Sequence, residues 1–165
     1  MSTLKVDTIE DKAGAFEHAR LVQVVSEQST AIVTGTTQMP SDNTIPQNTE
    51  GVECETITIT PTHASNILHI ISVHQISHTA SALLGIALFQ DSTSSALAAE
   101  CYSVPSSAMV CSLNHTMTAG TTSATTFKIR VGRNDTGTVT YNGQGGAARF
   151  GAIPCSSIII CEVRA

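Results

Sequence analysis

Two apolar runs separated by a short break form the most strongly patterned part of the chain. The first run covers residues 66–77, the second covers residues 83–90, and His-Thr-Ala-Ser-Ala lies between them. On an extended strand, alternate residues of the first run fall on opposite faces: Ile67, Ile71 and Val73 on one, and Leu68, Ile70 and Ile76 on the other. The pattern predicts a hairpin of two buried strands.

Both faces of the strand at 66–75 are apolar, whereas the edge strand of a one-sided sheet would leave one face to water. We therefore expect this strand to be central in a sandwich, or its second face to meet another subunit.

Short β-branched runs between turn signals continue along the rest of the chain. The 23 threonines, 15 isoleucines and 12 valines favour strands, because branched side chains suit a pleated surface. Further strands are predicted at residues 21–33, 52–60, 97–104, 109–117, 125–131, 138–142 and 157–163. Strands at this spacing predict an all-β fold, either an antiparallel sandwich or a jelly roll.

The chain divides into three predicted segments. Residues 1–20 form an attachment arm, residues 21–51 a strand and a long connecting segment, and residues 52–165 a β-sandwich head. In the arm, Leu4, Val6 and Ile9 alternate among charged residues and cannot bury much by themselves. We expect the arm to order against another molecule, and a frayed terminus is the alternative.

Charge is sparse and mildly acidic, at 13% charged residues and a net charge of −5. No Lys or Arg lies between Leu21 and Phe127, so nucleic-acid binding is not expected. No apolar run approaches the roughly 18–20 residues of a membrane span, and the opening residues lack a signal-peptide run, so neither membrane insertion nor secretion is expected.

The cysteines are odd in number and lack the CxxC spacing of a metal site. We predict buried reduced thiols, with a Cys101–Cys111 or Cys155–Cys161 bridge as the alternative.

The histidine pattern gives little support to a metal site. His74 and His78 are four residues apart, so their Cβ atoms would be about 13 Å apart on a strand, too far for one zinc ion. His69 faces the opposite side. Only a threefold axis could gather copies of one histidine, and His69 or His74 would be the candidate. We expect neither a metal nor a cofactor.

Catalytic patterns are equally weak. Glu53 and Glu55 would share a strand face at roughly 6.5 Å, a glycosidase-like spacing, but a solvated acidic edge is the commoner arrangement. The chain has no nucleophile elbow, and no Lys-Ser/Thr follows the Gly-rich turn NGQGG. We therefore predict a protein without enzymatic activity.

Several passages resemble a known family. The opening STLKVDTIEDKAG is similar to the start of bacteriophage tail-fibre proteins, particularly those of cyanophages and marine phages. TIPQNTEGVE, ALFQDSTSSALAA, MTAGTTSATTFKIRVG and GTVTYNGQGGAARFGAI resemble the globular head that closes such fibres. The resemblance implies a trimeric, jelly-roll-like β head on a virion, assembled in the bacterial cytoplasm, with the arm docked to another virion protein.

One departure from that family concerns length. Typical fibres carry a long shaft between the opening and the head, whereas here a few tens of residues connect them. A short spike or a surface decoration fits this length better. The protein could then be attached to the tail, the baseplate or the capsid of the virion. We expect a short tail fibre or spike that recognises the host surface. A capsid decoration or head-fibre protein is the alternative, and a glycan-processing spike enzyme is a third reading.

The residues themselves also favour a trimer. Strands that are apolar on both faces, in a chain this small, leave surface that packing around an axis would cover. The predicted trimer interface consists of Ile67, His69, Ile71, Val73, Ile158 and Ile160. A monomeric two-layer sandwich is the alternative.

Loops are the predicted receptor-binding elements. In an up-and-down sandwich, the loops at 77–81, 104–107 and 133–136 would share one end, opposite those at 91–95, 118–123 and 142–146. The candidate contacts to a host glycan or protein are His78, Tyr102, Arg133 and Asn134, which offer planar hydrogen bonds and a stacking face. Three-fold display would raise avidity.

Overall fold

The computed structural model describes residues 21–104 and 107–165, and the predicted arm with Leu4, Val6 and Ile9 lies outside them. The described residues form ten strands and one 3-10 turn at Phe150–Ala152. The strands are β1 (Leu21–Ser29), β2 (Val33–Gly35), β3 (Val52–Ile59), β4 (Ile67–His78), β5 (Ala82–Gln90), β6 (Ala98–Val104), β7 (Ala108–Thr118), β8 (Thr125–Arg133), β9 (Val139–Tyr141) and β10 (Ser156–Val163).

The strands form two antiparallel sheets. The larger sheet has the order β1-β10-β4-β9-β2, with β7 paired to the other edge of β4, and the smaller sheet has the order β3-β8-β5-β6. The prediction of an all-β antiparallel sandwich is therefore confirmed. Jelly-roll connectivity stays a prediction.

The core lies between the two sheets and is mainly aliphatic. Leu68, Ile70 and Ile76 of β4 are fully buried there, opposite residues such as Ile86 and Ile129 of the smaller sheet. The other face of β4 is turned outward, and it leaves apolar side chains exposed. Within the described residues, no helix has the length and apolar character that crossing a membrane requires.

The predicted hairpin of β4 and β5 is wrong, although both strands exist. Strand β4 belongs to the larger sheet and β5 to the smaller one, so residues 79–81 carry the chain from one sheet to the other. Both edges of β4 are already occupied: β7 pairs with it from Ile67 to Ser77, while β10 and then β9 pair along the opposite edge. A short break predicts a reversal of direction but does not identify the pairing partner.

Residues 21–51 are an integral part of the sandwich. Strand β1 pairs with β10 and β2 pairs with β9, after an interruption at residues 30–32 of the predicted strand. The connection at 36–51 crosses the outer face of the smaller sheet and buries Met39 there. Two glycines allow this close approach, since a Cβ at Gly85 would lie 2.6 Å from the Met39 sulfur and one at Gly132 would lie 2.8 Å from its Cβ.

Two of the loops predicted to share an end do meet. The Arg133 guanidinium donates a hydrogen bond to the Thr79 hydroxyl at 3.0 Å. The turn at 142–146 does not lie at the opposite end, where it was predicted. The N–H of Asn142 donates to the carbonyl of Gln75, which places the start of the turn beside the later half of β4. The turn lies there because β9 and β10 pair one after the other along the same edge of β4.

Candidate functional site: an uncharged apolar sheet face

Four adjacent strands of the larger sheet, β1, β10, β4 and β7, present one surface to solvent, which we call the sheet face. Their registers place Ile71 beside Ile159 and His69 beside Cys161. Ile71 is 46% exposed and Val73 is 42% exposed. The outward residues of this face are Leu21, Val24, Ser26 and Gln28; Ser157, Ile159, Cys161 and Val163; Ile67, His69, Ile71, Val73 and Gln75; and Val110, Ser112, Asn114, Thr116 and Thr118.

None of these outward residues is Asp, Glu, Lys or Arg. Serine, threonine, asparagine and glutamine supply the polarity instead, and His69 bonds to the Thr116 hydroxyl at 3.0 Å. Depletion of charge at the centre is typical of surfaces that bind other proteins.

Exposed apolar side chains are concentrated on this side of the molecule. Among the described residues, the large exposed ones on this face are Leu21, Val24, Ile71, Val73, Val110 and Ile159. Val22 instead lines a cavity with Thr62 and Asn66. Phe150 and Ile153 lie in the segment that leads into β10, and Ile45 alone lies in the connection across the smaller sheet. Exposed apolar side chains gathered on one sheet face are a feature of surfaces that take part in interactions.

The structure brings together four of the six residues predicted at a subunit interface. Ile67, His69, Ile71 and Val73 lie on the outward side of β4. Ile158 and Ile160 do not, because both are fully buried in the core of the chain itself. Alternation along β10 places Ile158 and Ile160 on the face opposite to Ile159. Both faces are apolar, so the sequence did not indicate which of them points outward. The outward residues are Ile159, Cys161 and Val163.

A buried carboxylate secures one end of the sheet face. The Glu162 side chain, 0% exposed, accepts hydrogen bonds from the Thr62 N–H and hydroxyl, both at 2.8 Å, and from the side-chain amides of Asn66 and Gln23. Burial of the carboxyl raises its pKa, but the bonds from Asn66, Gln23 and Thr62 outweigh this and lower the pKa from 4.5 to about 2. Glu162 therefore stays ionised and ties β1 and the loop before β4 to β10.

A second polar cluster lies between the sheets. Tyr141 donates a hydrogen bond to the Glu55 carboxylate, and the Nδ1 atom of His74 lies 2.7 Å from the Tyr141 oxygen. Burial, followed by the bond to Glu55, raises the pKa of Tyr141 well above its usual range. All three side chains are at most 5% exposed, so the cluster lies in the interior of the sandwich.

The predicted pairing of Glu53 and Glu55 on one strand face is wrong. A β-bulge between them shifts the register of β3 against β8, so Glu55 enters the core while Glu53 stays exposed. Outside the core, the Glu53 carboxylate lies 3.4 Å from Arg130 and 3.7 Å from Lys128. The two carboxylates therefore do not flank a common bond.

Three of the four candidate receptor contacts lie at the end of the sandwich where residues 79–81 cross between the sheets. Arg133 is only 2% exposed, since Asp135 at 2.7 Å and Thr79 hold its guanidinium. His78 is 6% exposed and bonds to the Ala80 carbonyl. Asn134 is exposed.

The fourth candidate, Tyr102, lies at the same level of the smaller sheet, because Tyr102 of β6 and Arg133 of β8 both pair with Leu84 of β5, along its two edges. It is half-buried, and its hydroxyl donates to the Ser112 carbonyl at 2.9 Å. Asn134 is thus the most accessible of the four side chains.

Metal and thiol chemistry has little support in the described part of the chain. No three His, Cys, Asp or Glu side chains there are grouped so as to hold a metal ion. His69 faces outward, whereas His74 is buried in the core, so of these two only His69 could approach a symmetry axis. All five cysteines are free, with neither alternative bridge formed. Burial raises the pKa of Cys54 and of Cys111 to about 12, which keeps these thiols protonated.

The fold and the sheet face define a class of protein, an all-β sandwich domain with a charge-free apolar surface. Residues 31–165 match the family described as the Pgp3 C-terminal domain, and the chain belongs to this family. The bacteriophage tail-fibre identity that the sequence passages imply stays a prediction. No curated protein matches the chain.

Solved structures show only distant likeness. Dimeric latent PorU from Porphyromonas gingivalis is 8% identical over 93% of this chain, with a TM-score of 0.39. The structure of infectious bursal disease virus, Gx strain, is 11% identical over 97% with a TM-score of 0.43. The enzymatically active domain of bacteriophage CBA120 tailspike protein 4 is 15% identical over 81% with a TM-score of 0.28. The chain spans only 14%, 44% and 20% of these three solved chains.

Proposed function

We propose that the chain forms the trimeric β head of a virion structural protein, a short tail fibre or spike without enzymatic activity. Copies associate through the sheet face, the head is displayed to recognise the host surface, and residues 1–20 dock to another virion protein. The observation that carries this proposal is the charge-free outward face of β1, β10, β4 and β7 with its exposed Ile71, Val73 and Ile159.

Association follows from the physical chemistry of that face. Each Å² of apolar surface withdrawn from water gains about 25 cal/mol, and no charged side chain on the face would have to be desolvated. A surface of this kind, left exposed on a small chain, is a liability unless a partner covers it. The Pgp3 C-terminal domain is a trimerisation-type domain, which supports three copies rather than two.

Display in threes would suit weak contacts to a host surface. Asn134 and the loops around Thr79 and Asp135 lie at one end of the sandwich, so a trimer would present three copies of this end together. Shallow sites of this kind bind weakly one at a time, and linkage raises their effective concentration without any new contact. The resemblance of the opening and head passages to phage tail fibres supports a host-attachment role.

The first test measures the mass of the purified chain in solution. We expect three times 17.2 kDa in sedimentation or light scattering, and conversion toward monomer when Ile71 and Val73 are both replaced by Ser. Both side chains point away from the core, so the variant should still fold. Ile45→Ser is the matched control, since Ile45 is 59% exposed outside the sheet face. A stable wild-type monomer would overturn the proposal.

The second test addresses the role on the virion. We expect the isolated head to inhibit phage adsorption, and Asn134→Ala to weaken this inhibition without changing the mass of the assembly. A head that neither binds cells nor competes with phage would contradict the attachment role.

A capsid decoration protein is the second candidate, because the short link between the opening passage and the head fits a surface decoration as well as a short spike. Labelling that places the protein on the capsid lattice would select this candidate over the tail.

Shortening of host polysaccharide on incubation would instead establish a glycan-processing enzyme. The placement of Glu53 and Glu55 on opposite sides of β3 argues against such an enzyme, because these two carboxylates do not flank a common bond.

A further inference from the structure

The segment between β9 and β10, residues 143–155, combines an unfavourable backbone with exposed apolar side chains. Phe150 is 81% exposed and Ile153 is 73% exposed. The 3-10 turn at this point buries none of its residues and has no side-chain cap. Phe150 and Ala152 both have positive φ, at 45° and 64°.

Positive φ is unfavourable for residues other than glycine, and such conformations persist where surrounding contacts hold them. Here the sandwich supplies no buried contact at the turn. While Phe150 and Ile153 are exposed, the chain lacks the favourable free energy that burying these two side chains would contribute. These features together indicate that a surface beyond the described residues covers the segment.

The position of the segment indicates which surface this is. Both of its ends are fixed at Gln75 of β4, where the Asn142 N–H donates to the Gln75 carbonyl at 2.9 Å and the Ser156 hydroxyl accepts the Gln75 N–H at 3.0 Å. Across the opposite edge of β4, Gln75 pairs with Val110, which is 68% exposed. At the level of Gln75, the segment and Val110 thus lie on opposite sides of β4.

In a ring of three copies, one flank of each subunit meets the other flank of the next. We propose that Phe150 and Ile153 of one copy pack against the β7 flank around Val110 of the neighbouring copy. This inference rests on the proposed self-association and names the segment that reaches across. The receiving flank is free of charge, because its outward neighbours are Gln75 and Ser112. Burial of Phe150 in the assembly would offset the unfavourable backbone of the turn.

Cross-linking tests the contact directly. In a chain with Cys101, Cys155 and Cys161 replaced by Ser, Phe150→Cys and Val110→Cys together should give covalently linked dimers and trimers with a short bismaleimide. The matched control pairs Ile45→Cys with Val110→Cys, and it should give only the background seen with Val110→Cys alone. Equal linkage in both pairs, or none in the first, would overturn the inference.

Stability of the assembly gives a second measurement. Phe150→Ser with Ile153→Ser should raise the concentration at which half of the chain is assembled by about tenfold or more, whereas Ile45→Ser should leave it unchanged. Because these side chains are exposed in the single chain, the unfolding midpoint of dissociated protein should not fall. If the wild type is a trimer and the double variant assembles equally well, this contact is wrong while the trimer stands. If the wild type is a monomer, both proposals fail.

Discussion

At the scale of single residues, Glu162 shows how a buried charge can hold a sheet together. Its carboxylate receives donors from two loop residues and one strand residue, Thr62, Asn66 and Gln23, so the cost of removing it from water is met by several hydrogen bonds. Removing the charge would leave those donors without a full set of acceptors.

The pH dependence of stability follows from this carboxylate. Its pKa in the folded chain, about 2, lies below the ordinary value of 4.5, so its contribution is fully present above pH 4.5 and is lost as the pH falls toward 2. We expect Glu162→Gln to lower the free energy of unfolding by roughly 1–3 kcal/mol at neutral pH. Urea unfolding of wild type and variant, repeated from neutral pH downward, should show this difference shrinking in acid.

The exposed Glu53 provides the control for the pH series, since Glu53→Gln should follow the wild-type curve closely. A Glu162→Gln curve that runs parallel to the wild type across the whole acid range would contradict the role given to this carboxylate.

Tyr141 is the second residue with a separable role. Tyr141→Phe removes the hydroxyl that bonds to the buried Glu55, which leaves the carboxylate with only His74 at 3.5 Å. We expect a loss of about 1–3 kcal/mol in the free energy of unfolding, measured by urea denaturation. Tyr102→Phe removes a half-buried hydroxyl and should cost under about 1 kcal/mol. Equal losses of unfolding free energy in the two variants would show that the buried Tyr141 hydroxyl contributes no more to stability than the half-buried Tyr102 hydroxyl.

At the scale of elements, positions were predictable and partners were not. Alternation and turn residues located nearly every strand. The two apolar faces of β4 were also predicted, and they have different roles: one is buried in the core, and the other is exposed at the candidate interface. The partner of β4 could not be read locally. Whether it pairs with β5 or with β7 depends on contacts some forty residues apart, such as Ile71 with Asn114.

The candidate site was predictable to the same extent. The sequence grouped Ile67, His69, Ile71 and Val73, because strand geometry alone puts them on one face. It failed for Ile158 and Ile160, since the alternation of β10 is apolar on both faces and only the register with β4 decides which face is inward. Phe150 was missed because an irregular turn has no period, and its sole signal was an apolar residue within a glycine-rich stretch.

The long connection at 36–51 is the element whose packing is most directly testable. Gly85→Ala would place a methyl group 2.6 Å from the Met39 sulfur, so the Met39 side chain or the connection that carries it must shift. We expect a loss of roughly 1–3 kcal/mol in the free energy of unfolding. Adding Met39→Ala to Gly85→Ala should cost less than the sum of the single changes, because the clash is then absent. Strict additivity in thermal or urea unfolding would contradict this packing.

At the scale of the whole molecule, the sheet face and the net charge of −5 together determine how assembly responds to salt. Added salt shortens the screening length from about 10 Å at 0.1 M to about 3 Å at 1 M and weakens ion pairs. An interface built from the sheet face contains no Asp, Glu, Lys or Arg to lose. The remaining electrostatic term is repulsion between three acidic copies, which salt relieves.

We therefore expect the concentration of half-assembly to stay constant or to fall between about 0.1 M and about 1 M NaCl, and never to rise. Sedimentation equilibrium across that range measures it directly. Glu27→Lys, at an exposed position on the edge strand β1, is a useful comparison because it lowers the net negative charge outside the face and should weaken the salt effect. Dissociation by about tenfold or more at high salt would mean that charged residues hold the subunits together. In that case the surface that joins them would lie somewhere other than the outward side of β4.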